Sequence, residues 1–114
     1  MRLKRTSKDR SPNEGSPPGD SLVTLFLRGQ NLEQVGKLEE AISLYEQAVK
    51  ARFDAAGPYD RLIFIYQRSR MHADVIRVAE ESIRSVRTYP QKLDWYRAQI
   101  IEAKKALDSP PTAL

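Results

Sequence analysis

Apolar residues recur at intervals of three and four along most of the chain, and this spacing predicts α-helices. The clearest apolar stripe consists of Ala41, Leu44, Tyr45, Ala48 and Val49. Four similar stripes are formed by Leu22, Leu25, Leu32 and Val35; by Leu62, Ile63, Ile65 and Tyr66; by Val75, Ile76, Val78, Ala79 and Ile83; and by Leu93, Trp95, Tyr96, Ile100, Ile101 and Ala103. No alternation typical of a β-strand is sustained. We therefore expect an all-α domain of about five helices with short connections.

Glycine and proline separate these stripes. Gly36 follows the first stripe, where a left-handed C-terminal cap is expected. Pro58 suits the first turn of the third helix, because its missing N–H would be unpaired there anyway. A break is expected near 69–72, Pro90 opens the fifth helix, and the proline pair at 110–111 follows its end. The helices should therefore be short enough to pack as antiparallel pairs.

The first two helix pairs repeat each other with an offset of 34 residues. The offset aligns Leu25 with Tyr59, Leu32 with Tyr66, Ala41 with Val75, Ile42 with Ile76, Ala48 with Ser82, and Val49 with Ile83. A period of this length in paired helices is typical of an α-solenoid. We expect two helix pairs over residues 22–87, with a terminal helix over 90–107.

The segment from Gly36 to Ala48, GKLEEAISLYEQA, resembles the second-helix motif of the tetratricopeptide repeat family. Gly29 stands where that family places a small residue in its first helix. The second repeat departs from the pattern, with Ile63, Arg70 and Ala79 in place of the small residue, the turn glycine and the aromatic. The resemblance implies antiparallel helix pairs stacked into a short α-solenoid that binds other proteins.

Gly29 lies inside a helix, where glycine is about 1 kcal/mol less favourable than alanine. We expect it because the backbone of the partner helix packs there with no side chain between the two. Ala41 and Ala48 should form the matching surface on the second helix, with Tyr45 filling the space between them.

Composition divides the chain into three parts. Residues 1–20 contain no large apolar residue beyond Met1 and Leu3, and they hold three of the seven prolines. We expect this segment to be disordered, residues 21–107 to form the helical domain, and residues 108–114 to form a flexible tail. The net charge is +4, and half of that excess lies in the first 20 residues. The folded part should therefore carry a nearly balanced surface, which argues against a dedicated nucleic-acid site.

The basic start of the chain continues into polar residues, which argues against a secretory signal, and no apolar run approaches the roughly 20 residues of a membrane span. We expect a cytoplasmic protein that does not enter a membrane.

We find no pattern that predicts catalysis or a cofactor. The chain has no cysteine and a single histidine, His72, so a metal site would rest on carboxylates without ligand spacing. A structural role is expected for His72, and paired carboxylates such as Glu39 and Glu40 should form a solvated face. We expect a protein that is not an enzyme and holds neither a metal nor a cofactor.

In the family that this chain resembles, the first helices of successive repeats line a concave groove. The residues that lie off the core stripe of these helices are therefore the candidate partner-binding set. They are Phe26, Gln30 and Glu33 in the first repeat, and Asp60, Arg61, Phe64, Gln67 and Arg68 in the second. The set suits an extended or helical peptide, with both phenylalanines open to the groove. The family's clamp for C-terminal carboxylates has lysine and asparagine where Phe26 and Gln30 stand, which argues against that ligand.

Three alternatives remain open. The terminal helix or a second copy of the domain could cover the two phenylalanines. Trp95 lies off the apolar stripe of the last helix, so it is a candidate for joining two copies into a homodimer. A nucleic-acid-associated factor is the alternative function, and it would use the basic N-terminal segment and the arginines of the second pair. These are Arg61, Arg68, Arg70, Arg77, Arg84 and Arg87.

Overall fold

The computed structural model describes residues 19–109, and side chains from residue 21 onward. This part of the chain is all-α and contains no strand. Its five helices are α1 (Gly19–Gln34), α2 (Leu38–Lys50), α3 (Ala56–Arg68), α4 (His72–Ser85) and α5 (Leu93–Asp108), and a 3₁₀ turn over Pro90–Lys92 precedes α5. The predicted helical fold is confirmed. Disorder before residue 19 and flexibility after residue 109 concern segments outside the described residues; Gly19, Asp20 and Asp108 are helical.

Successive helices pack against each other, α1 on α2, α2 on α3, α3 on α4 and α4 on α5. The core contains the predicted stripes of α2, α3 and α4. Its fully buried members, at 0% exposure, are Ala41, Tyr45, Tyr59, Leu62, Ile63, Val75, Val78, Ala79 and Tyr96. α5 therefore adds its own large side chain to the same core, because Tyr96 lies among the residues of the helix pairs.

The 34-residue offset appears in the backbone of the turns. In the first pair, the N–H of Gly36 donates to the Glu33 carbonyl, and the N–H of Lys37 donates to the Leu32 carbonyl. In the second pair, Arg70 and Met71 make the equivalent bonds 34 residues later, to Gln67 and Tyr66. This bond pattern ends a helix with a left-handed residue, which is Gly36 at φ 84° and Arg70 at φ 59°. The predicted cap at Gly36 is confirmed, and Arg70 adopts the same conformation in place of glycine.

Removing glycine from the first turn and introducing it into the second should change the stability of the domain in opposite directions. We expect Gly36→Ala to lower the free energy of unfolding by about 1 kcal/mol and Arg70→Gly to raise it by a similar amount, because a Cβ disfavours the left-handed region. No atom lies within 4 Å of a Cβ built on Gly36, so the effect there comes from the backbone alone. Urea unfolding followed by circular dichroism measures both changes. Arg70→Ala keeps the Cβ and should change little; stabilisation equal to that of Arg70→Gly would assign the effect to the arginine side chain.

Gly29 is buried in α1 as expected, but its neighbour is a side chain and not the partner backbone. A Cβ at Gly29 would lie 2.6 Å from Cε1 of Tyr45. The ring of Tyr45, from α2, therefore occupies the space that glycine leaves open. In the second repeat the sizes are reversed: Ile63 on α3 and Ala79 on α4 stand at the equivalent positions, and both are fully buried. Both departures therefore lie in the same core, where the first helix carries the larger residue and the second helix the smaller one.

Candidate functional site

The candidate partner-binding residues lie on a surface formed by α1, α3 and α5, named here the α1–α3–α5 face. Ion pairs between side chains connect α3 to α1 on one side and to the start of α5 on the other. Arg61 of α3 pairs with Glu33 of α1, and Asp60 of α3 pairs with Lys92, just before α5. On the other side of the domain, Arg77 of α4 pairs with Glu46 of α2. The first helices of the pairs and α5 therefore share one face, while α2 and α4 share the other.

Glu33 is the centre of the contact between α1 and α3. Its carboxylate accepts hydrogen bonds from Nε and Nη2 of Arg61, and from the Tyr45 hydroxyl at 2.7 Å. The Arg61 hydrogen bonds, helped by that of Tyr45, hold the pKa of Glu33 below its usual range. Burial and the nearby Glu33 carboxylate raise the pKa of Tyr45. Glu33 is therefore a charged, fully partnered carboxylate at neutral pH.

Asp60 has the equivalent role between α3 and α5. Its Oδ2 accepts a hydrogen bond from Nζ of Lys92, and its Oδ1 accepts one from the Tyr96 hydroxyl, each at 2.9 Å. Burial, together with the charge of Asp60, raises the pKa of Tyr96. Further along the same helices, Nε2 of Gln67 donates to Oε1 of Gln99 at 2.5 Å. Asp60 and Gln67 therefore fasten α5 onto α3.

Phe64 is the large apolar side chain that α3 leaves exposed on this face. It is 45% exposed. The guanidinium carbons of Arg61 and Arg68 lie 5.1 Å and 5.6 Å from the centroid of its ring, within the range of a cation–π contact. α5 does not cover this ring, although it does contact Asp60 and Gln67. The alternative in which the terminal helix covers the two phenylalanines is therefore wrong for Phe64, which stays exposed.

Phe26 does not open onto the groove beside Phe64, and this expectation is corrected. Its ring is half-buried, lies against the backbone of Gly57 at the start of α3, and has its centroid 6.0 Å from that of Tyr45. A side chain at position 57 would exclude Phe26, so this glycine permits the close approach of α1 and α3. Gln30 does lie on the face, at the rim of a shallow depression that Glu33, Gln34 and Arg61 complete.

Trp95 lies on the groove side of α5, next to the Asp60 cluster. It is 40% exposed, its ring meets that of Tyr96 edge to face at 5.5 Å, and Nζ of Lys92 lies 4.2 Å from its centroid. These contacts bring Trp95 to the same surface as the candidate residues of α3. Its role in self-association stays a prediction.

The sequence analysis missed three members of this face: Lys92, Tyr96 and Gln99. Each bonds a candidate residue on α3, at separations of 32 to 36 residues. The same 34-residue offset identifies their helix, because it shifts the range of α3 onto residues 90–102, where the first helix of a third pair would lie.

Other chemistry was also sought among the described residues. No group of three His, Asp or Glu side chains between residues 19 and 109 is arranged to hold a metal ion. His72 is half-buried at the first position of α4. None of the helices in this range is both long and apolar enough to cross a lipid bilayer.

In a comparison with known proteins, no family model, curated protein or solved structure matches the chain.

Proposed function

We propose that this chain is a non-catalytic protein-interaction scaffold of the tetratricopeptide type, which binds a peptide segment of a partner protein on its α1–α3–α5 face. The observation that carries the proposal is Phe64, which is 45% exposed beside the ion pairs Glu33–Arg61 and Asp60–Lys92. An exposed aromatic ring bordered by polar groups is typical of the centre of an interface. The identical turn geometry at 34-residue spacing supports the solenoid type.

The contacts of the face explain why it can serve as a rigid platform. Glu33 and Asp60 tie α3 to its neighbours on both sides, so the backbone around Phe64 is fixed by α1 and α5 together. A partner that binds this surface loses little energy to reordering of the scaffold, because the groups are preorganised. Fixed geometry with an exposed apolar centre suits recognition of an extended or helical segment.

The arginines give less support to the nucleic-acid alternative. Arg61, Arg77 and Arg84 each pair with a carboxylate of this chain. On the α2–α4 side, a shallow depression is lined by Lys50, Arg52 and Arg77, but also by Glu46 and Glu81. Carboxylates mixed among the arginines reduce the attraction of a phosphate backbone.

The test uses a phage-displayed library of random 12-residue peptides selected on the intact domain. We expect enriched peptides whose binding is lost on Phe64→Ala and kept on Tyr89→Ala, since Tyr89 is exposed to a similar extent before the 3₁₀ turn. Circular dichroism verifies that both variants are folded. Failure to enrich any peptide, or enriched peptides that ignore Phe64→Ala, would overturn the proposal. Tight binding of a mixed-sequence oligonucleotide, lost steeply with salt, would instead support the nucleic-acid alternative.

A further inference from the structure

The charges on the α1–α3–α5 face leave one cation without a carboxylate. Glu33 is occupied by Arg61 and Tyr45, and Asp60 is occupied by Lys92 and Tyr96. Arg68 is exposed in the last turn of α3, and its recorded direct contact among the described residues is with the ring of Phe64. Its charge also acts on Glu33 from a distance, as a minor cause of the lowered pKa of that carboxyl. The surroundings of Phe64 therefore carry a net positive charge, and within residues 21–109 the guanidinium of Arg68 forms no ion pair.

Phe64 and Trp95 form two exposed aromatic surfaces bordering the same part of the face. Phe64 lies one helical turn after Asp60, which holds Lys92, and Lys92 in turn lies over Trp95. Each ring has a cation near its face, and each stays partly exposed, Phe64 at 45% and Trp95 at 40%. An apolar side chain of a ligand that contacts both rings would bury apolar surface. This burial is the largest favourable contribution to the binding free energy that the face offers.

The third element is a set of side-chain amides. Gln30 and Gln34 border the depression next to Glu33 and Arg61 on the α1 side, and neither side-chain amide makes a hydrogen bond to another described residue. An amide side chain offers both donors and an acceptor, which match the backbone N–H and C=O groups of an extended segment. A ligand lying along α1 and α3 would therefore find partners for its main chain as well as for its side chains.

Resting on the proposed function, we infer that the bound segment is an extended acidic peptide with an Asp or Glu side chain next to an aromatic or large aliphatic one. The carboxylate binds the guanidinium of Arg68, and the apolar side chain lies against Phe64 and Trp95. A charge-assisted hydrogen bond between carboxylate and guanidinium is about twice as strong as one between neutral groups. The guanidinium of Arg68 already lies 5.6 Å from the centroid of the Phe64 ring, so the cation stands beside the apolar surface before the ligand arrives.

The experiment uses synthetic peptides with amidated C-termini, taken from those that the intact domain enriches, so that side chains supply every carboxylate. Each peptide is made with its acidic residue as Glu, Gln or Lys, and binding is measured by fluorescence anisotropy. We expect about tenfold weaker binding for Gln than for Glu, and a further loss for Lys. Arg68→Glu should reverse this order and favour the Lys peptide. Arg84→Ala removes an arginine from α4, on the other side of the domain, and should leave the preference unchanged.

The outcomes separate this inference from the proposed function. Peptides that require Phe64 but bind equally as Glu, Gln or Lys would overturn the acidic preference while keeping the interaction site. If the Arg68→Glu variant still binds the Glu peptides most tightly, the carboxylate binds elsewhere and the proposed role of Arg68 is wrong. If no peptide is enriched, or if the enriched peptides bind regardless of Phe64, both the site and the inference are wrong. Trp95→Ala should weaken peptides with a large apolar residue by several-fold, and an unchanged affinity would remove Trp95 from the site.

Discussion

Gly29→Ile and Tyr45→Ala should each destabilise the domain strongly, while the double variant should recover a large part of the loss. A Cβ at Gly29 already meets the Tyr45 ring at 2.6 Å, so isoleucine there forces overpacking of about 1–3 kcal/mol or more. Tyr45 is completely buried, and its removal should cost about 3–5 kcal/mol through an empty cavity. Combining the two changes fills that cavity with the new isoleucine, so the effects should not add.

The second repeat supplies the physical model for this double variant. There, Ile63 and Ala79 occupy the positions of Gly29 and Tyr45, and both are fully buried in the same core. The double variant therefore installs in the first pair a combination that already packs in the second. Recovery should be incomplete, because Glu33 loses the hydrogen bond from the Tyr45 hydroxyl.

A double-mutant cycle in urea measures the coupling between these two positions. Each single variant is expected to unfold at a lower urea concentration than the double variant, with a coupling of at least about 1 kcal/mol. If either single variant is unfolded in buffer, the milder pair Gly29→Ala and Tyr45→Leu gives the same cycle at smaller amplitude. Asn31→Ile, exposed on the same helix, is the control for adding an isoleucine to α1. Additive losses would mean that the two sites do not share one space.

The helical architecture could be predicted from the sequence because α2, α3 and α4 each bury a stripe, and stripe spacing depends only on local geometry. The stripe of α2 illustrates this, since Ala41, Tyr45 and Ala48 are fully buried as expected. The departures at positions 63 and 79 are also visible in the sequence as opposite changes of size, with a larger residue in the first helix and a smaller one in the second.

The candidate site was predictable in part. The periodicity of α3 identifies Phe64 as lying off the core stripe, and the ring is exposed. Periodicity does not determine which neighbour a side chain meets, so the same reasoning failed for Phe26, which packs on Gly57. The pairs Glu33–Arg61 and Asp60–Lys92 join residues about 30 positions apart, and their formation depends on how far neighbouring helices are shifted along each other. That shift is set by close contacts such as the one at Gly57.

The second large effect is expected at Tyr96, where substitution by alanine should destabilise the domain by about 3–5 kcal/mol. Tyr96 is fully buried in the shared core, and its hydroxyl donates to Asp60. Its removal would leave both a cavity and a carboxylate with one partner fewer, so α5 should lose its attachment to α3 first. Hydrogen exchange should show this directly, as faster exchange of the amides of α5 than of those of α2.

The neighbouring aromatic gives a matched control, because Trp95→Ala removes a larger side chain from the adjacent position. Trp95 is 40% exposed, so its removal should lower the free energy of unfolding by about 1–2 kcal/mol, clearly less than the loss at Tyr96. Light scattering on the same two proteins tests the expected self-association, since a dimer joined through Trp95 should dissociate in the alanine variant. A monomer at high concentration in both would exclude that role. Equal destabilisation by the two substitutions would show that α5 does not dock through Tyr96, and α5 could then no longer be treated as the first helix of a third pair.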